Sequence, residues 1–155
     1  MTANVQPIYS ISANIDSGAN HNAGTVIGPS ANTAQDGSGS NIYWVWQSNT
    51  TNGGYLQKIK FRAVGSPAAT VARIFICADT SGSFTGGSTN TATNTWLLEE
   101  ISLPATTLSQ TAQSASCEIN FGYAIPIGYK VLVAFGTSTG SAGTGYSVVA
   151  IGGNY

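Results

Sequence analysis

Charge is what this chain is short of. Asp, Glu, Lys and Arg make up 7% of its 155 residues, against about 25% in an ordinary soluble domain. With a formal net charge of −1, no long-range field exists to gather a polyanion, which argues against nucleic acid and against an anionic membrane as partners. Histidine is reduced to one residue, His21. A Ser-His-Asp triad would have to recruit it from a distant loop, and a zinc site needs three or four ligands. The two cysteines, Cys77 and Cys117, each fall in an expected strand and read as small buried thiols, with a bridge between them as the alternative. No run of 18 apolar residues is present, so no membrane-spanning helix is expected. The first ten residues, MTANVQPIYS, carry neither the basic nor the apolar region of a secretory signal, and synthesis in a cytoplasm is the expectation.

Polarity is carried instead by 18 Ser, 18 Thr, 12 Asn and 19 Gly. A neutral, hydrogen-bonding surface of this kind packs against another surface without stranding charges, which are costly when buried unpaired. The length suits one domain, 1–155, able to bury roughly 70% of its unfolded surface.

The organising stretch is 55–79, YLQKIKFRAVGSPAATVARIFICAD. Ile59, Phe61 and Ala63 alternate with Lys58, Lys60 and Arg62, the period of a half-buried strand with a basic wet side. Gly65-Ser66-Pro67 turns the chain, and residues 70–78 return as a second strand, so the pair is a hairpin or a corner between two sheets. Elsewhere, residues 1–6 read as a flexible arm, 7–14 as a short strand, and 15–40 as a long Gly/Asn/Ser-rich loop with one brief strand at 25–27. Residues 41–47, NIYWVWQ, place Ile42, Trp44 and Trp46 on one face and Tyr43 and Val45 on the other. Further strands are expected over 95–103, 117–121, 129–136 and 146–151, with a polar loop at 79–94. About eight antiparallel strands joined by Gly-rich turns give an all-β fold, a single jelly-roll-like β-sandwich, with an immunoglobulin-like sandwich as the alternative.

Candidate chemistry is sparse. Gly136-Thr137-Ser138-Thr139-Gly140 fits the G-x-S-x-G pattern, but neither a helix nor a later histidine follows it. Glu99 and Glu100 are strand neighbours and point to opposite faces, so they cannot act as a carboxylate pair. Asp16, Asn20, Asn22 and Asp79 offer oxygens without calcium-loop spacing. Neither a catalytic constellation nor a cofactor or metal site emerges, and the chain does not read as an enzyme. The candidate partner interface is Tyr43, Trp44 and Trp46, a possible stacking platform for sugars, together with the basic stripe Lys58, Lys60 and Arg62, suited to acidic groups on a protein.

Four segments carry a resemblance: TVARIFI (70–76), EEISLPATT (99–107), IPIGYKVLVAFGTSTG (125–140) and AIGGNY (150–155). In order and phrasing, from residue 41 to the end, they resemble small structural proteins of tailed bacteriophages. That resemblance implies a head decoration (cement) protein of jelly-roll type. Such a protein would be made in the host cytoplasm, sit as a homotrimer on the outer capsid surface of the virion, and bind the major capsid protein. The alternative is a receptor- or glycan-binding module of a phage tail or fibre.

Overall fold

The computed structural model describes Ile8, Tyr9 and residues 26–155. The expected arm at 1–6, most of the strand expected at 7–14, and the first part of the long loop, with Asp16, Asn20, His21 and Asn22, lie outside the described residues.

Among the described residues nine strands follow in order: β1 (Ile8–Tyr9), β2 (Val26–Ile27), β3 (Ile42–Gln47), β4 (Gly54–Val64), β5 (Thr70–Cys77), β6 (Thr95–Leu103), β7 (Ser116–Ile125), β8 (Lys130–Phe135) and β9 (Gly145–Asn154). They form two antiparallel sheets. Sheet A runs β1-β9-β4-β7 and sheet B runs β3-β8-β5-β6. β1 pairs with the end of β9 (Ile8↔Asn154) and β2 with its beginning (Val26↔Ser147), so the two short strands share one edge of sheet A. The sandwich therefore has eight strand positions, four in each sheet.

Only β5 and β6 are consecutive strands paired within one sheet; every other step from β2 to β9 crosses between sheets. That is the double Greek key of a jelly roll. An immunoglobulin sandwich keeps several consecutive strands side by side, so the alternative is set aside. The β4–β5 pair is accordingly the corner between sheets and not a hairpin, with Gly65 taking a positive φ of 70° at the turn.

The alternation expected for β4 holds: Ile59, Phe61 and Ala63 are buried between the sheets while Lys60 and Arg62 are exposed. Opposite them, Ala72, Ile74, Val133 and Phe135 complete the inter-sheet core. β7 and β9 extend further than expected, to Ile125 and Asn154, because both continue to pair with the start of β4 (Gly54↔Ile125, Gly54↔Asn154).

A second core lies on the outer face of sheet B. Ile42, Trp44, Phe75, Cys77, Leu132 and Ala134 pack there beneath Phe84. The cover is supplied by polar loops 28–41 and 78–94, whose backbone groups need partners once water is excluded. Asparagines supply them. Asn32 Nδ2 donates to the carbonyls of Ser38 (3.0 Å) and Ser40 (2.8 Å). Asn90 Nδ2 donates to those of Gly37 (2.7 Å) and Gly39 (2.9 Å), while its Oδ1 accepts from the Gly87 amide (2.8 Å). Much of the uncharged polar composition thus holds loops to each other.

Candidate functional site

The outer face of sheet A is the candidate site. Lys58, Lys60 and Arg62 project from β4, which lies between β7 and β9. Across the sheet they face Asn120, Glu118 and Ser116 on one side and Ile151, Val149 and Ser147 on the other. Among the described residues Glu118 is the one carboxylate in reach, 3.4 Å from Lys58 Nζ and 3.7 Å from Lys60 Nζ. Arg62 has no acidic partner among the described residues. Among the described residues, three cations against one anion leave this face positive on a chain that is negative overall. Solvent-exposed pairs of this sort contribute little to stability, on the order of 0–1 kcal/mol, so their placement is available for recognition. A shallow depression at Lys60, Arg62, Val64, Ser147 and Val149 roughens one end of the face.

The aromatic half of the expected interface is corrected. Trp44 is 2% exposed and Trp46 is 3% exposed, so neither offers a ring to a ligand. Nor do they share a face. The register passes from Trp44↔Leu132 to Trp46↔Val131, a bulge that admits an extra residue in β3. One inserted residue reverses the side-chain phase. Trp44 therefore lies in the outer core with Phe84, ring centroids 6.4 Å apart, and Trp46 in the inter-sheet core. Tyr43 is half-buried against the inter-sheet core, and burial pushes its phenol above the ordinary range. Among the described residues the large exposed aromatics are Trp96 on β6, 48% exposed, and Tyr123 on β7, 45% exposed. Strand periodicity alone could not pick them out, because they sit at the open rim of edge strands β6 and β7.

Lys130 went unremarked in the sequence and proves the most constrained charge among the described residues. It is fully buried, with Nζ donating to Asp79 Oδ2 (2.5 Å), the Asp79 carbonyl (2.8 Å) and the Ser81 carbonyl (2.6 Å). The ammonium also lies 5.0 Å from the centroid of the Trp44 ring, a cation–π distance. The cluster clips the start of loop 78–94 to β8, so Asp79 serves the fold.

The remaining sequence candidates separate. Ser138 Oγ donates to the Pro29 carbonyl at 2.8 Å and ties two loops together. Glu100 opposes Arg73 in register and pairs with it at 2.8 Å, while Glu99 opposes Ile74 on the other face. Among the described residues, no group of three or more His, Cys, Asp or Glu side chains is placed to hold a metal ion. Cys77 and Cys117 are free thiols, Cys77 in the outer core and Cys117 against the inter-sheet core.

No family model, curated protein or solved structure matches the chain.

The outer side of sheet A is an antiparallel face bearing a row of three cations. It can dock against a carboxylate-bearing surface, and its side chains supply hydrogen-bond donors and charge.

Proposed function

We propose that the protein is a non-enzymatic bacteriophage head decoration protein that binds the outer surface of the assembled capsid as a trimer. The observation that carries this reading is the positive outer face of sheet A. Lys58, Lys60 and Arg62 stand on a central strand, flanked by hydroxyl, amide and aliphatic side chains. Such a face fits an acidic protein surface and meets it without burying uncompensated carboxylates of its own. The segment likeness to tailed-phage structural proteins and the jelly-roll sandwich support the same reading. The mechanism is mechanical: copies clamp neighbouring major capsid protein subunits. Because the ligand is the assembled lattice, binding stabilises that lattice by linkage.

Quantitative mass spectrometry of purified virions against the major capsid protein tests this directly. Hundreds of copies per particle are expected. A handful of copies would move the protein to the tail or fibre, and absence from the particle would overturn the reading. Recombinant protein added to undecorated heads should co-sediment. The triple charge reversal of Lys58, Lys60 and Arg62 to Glu should abolish that association and leave the fold intact.

A further inference from the structure

We propose that the depression beside Arg62 on the outer face of sheet A receives one acidic side chain, a glutamate presented by a partner protein. Arg62, and not the two lysines, is the residue that selects it. That the bearer is a protein rests on the capsid-binding reading above; the chemistry of the site does not.

Arg62 is set apart by its pairing. The chain has five Lys and Arg residues, and four of them have a carboxylate close by. Lys130 is held by Asp79 at 2.5 Å and Arg73 by Glu100 at 2.8 Å, while Lys58 and Lys60 share Glu118 at 3.4 and 3.7 Å. Arg62 is exposed and, among the described residues, has neither an ion pair nor a hydrogen-bond partner. A guanidinium meets a carboxylate through two parallel hydrogen bonds, which an ammonium does not reproduce.

The sheet register makes the room. Residues directly opposite on neighbouring strands lie about 4.5–5.5 Å apart. Arg62 has Ser116 on one side and Ser147 on the other, whereas Lys60 has Glu118 and Val149, and Lys58 has Asn120 and Ile151. Two short side chains leave the guanidinium uncovered, and a depression of about 320 Å³ opens beside it. Its charged lining groups are Lys60 and Arg62, both cations, so the lining selects an anion. Ser147 Oγ makes no hydrogen bond among the described residues and is free to donate to a carboxylate oxygen. Val64 and Val149, half-buried on the same face, suit the methylenes of a glutamate, which inorganic phosphate lacks. Glu118 works against the neighbouring lysines, because it already occupies both.

NMR titration of the ¹⁵N-labelled protein with the blocked tripeptide acetyl-Ala-Glu-Ala-amide is the test. The corresponding Gln tripeptide and inorganic phosphate are the comparison probes. At low salt the Glu peptide should give saturable shifts at the Arg62 Nε–H and at the Ser147 and Val149 amides, and the Gln peptide should give none. Arg62→Lys, which keeps the charge and removes the fork, should weaken binding about fivefold or more, the worth of one hydrogen bond. Lys58→Gln should change it less than about twofold, and Glu118→Gln should strengthen it by releasing Lys60. Equal shifts with the Gln peptide, an Arg62→Lys protein that binds like wild type, or tighter binding of phosphate than of the Glu peptide would each overturn the proposal. The two readings fail separately. Peptide binding at Arg62 in a protein absent from virions would remove the capsid reading and leave this site. Hundreds of copies per virion, with peptide binding indifferent to Arg62→Lys, would do the reverse.

Discussion

Asp79→Ala strands a charge inside the protein. Lys130 is fully buried, and its one anionic partner among the described residues is the Asp79 carboxylate at 2.5 Å. Removing one member of a buried pair costs about 3–5 kcal/mol, because the remaining charge keeps its desolvation penalty and loses its compensation. At this chain length the cost corresponds to a fall in Tm of roughly 6–20 °C. Lys130→Met should cost less, about 1–2 kcal/mol. The carboxylate it leaves is 19% exposed and keeps the Ser81 hydroxyl at 2.8 Å. Combined with Lys130→Met, Asp79→Ala should add little, and urea denaturation of the four proteins measures that coupling. The pH dependence follows from the same contacts. Burial pushes the Asp79 carboxyl up, but hydrogen bonds from Lys130 and Ser81 and the Lys130 charge outweigh it and hold the group below its usual range. A depressed folded value makes the pair's contribution complete above the unfolded value of about 3.9 and lost as pH falls through the folded one. Wild type and Asp79→Ala should therefore converge in stability as the solution is acidified below about pH 4. An Asp79→Ala protein within about 1 kcal/mol of wild type at neutral pH, the cost of a surface pair, would refute the reasoning.

Gly37→Ala should destabilise by roughly 2–5 kcal/mol in thermal or urea unfolding. Its φ is +77° and the new Cβ would fall 2.3 Å from Thr95 Cγ2, so backbone strain and overpacking act together. Asn90→Ala should cost about 2–4 kcal/mol and speed hydrogen exchange at Gly87, because it orphans one amide and two carbonyls at a nearly inaccessible site. Unchanged exchange at Gly87 would show that the clip is dispensable. A thiol reagent should modify Cys117 slowly in the folded protein and Cys77 only on unfolding, and reductant should leave Tm unchanged, since the thiols occupy different cores.

The architecture was legible because period-two patterning survives wherever one face of a strand is wet. On β4 the contrast between Ile59/Phe61/Ala63 and Lys58/Lys60/Arg62 named the buried face directly, and the structure keeps that assignment. On β3 the same logic failed. Apolar residues on both faces give periodicity nothing to discriminate, and the bulge between Trp44 and Trp46 leaves no mark in composition. The platform inferred from Trp44 and Trp46 was lost to that inserted residue, which sends the two rings to opposite faces, and to the loop residue Phe84, which packs over Trp44.

The outer core explains the other gap. Long loops of Asn, Ser, Thr and Gly read as solvated surface, yet loops 28–41 and 78–94 cover Phe75, Leu132 and Trp44 and pair their own backbone through Asn32, Asn90 and Asn94. A buried lysine reads from sequence like any other lysine, because the groups that make burial tolerable, the Asp79 and Ser81 carbonyls, come from about 50 residues upstream. The neutral composition therefore has two separable causes. Part of it is internal, where amide side chains hold loops that charged residues could not hold without a desolvation cost. The rest stays on the outer faces, where the few exposed cations of β4 stand out against it. Among the described residues the exposed cations are concentrated on β4, and charge reversal at that strand is where a recognition defect should appear without a folding defect.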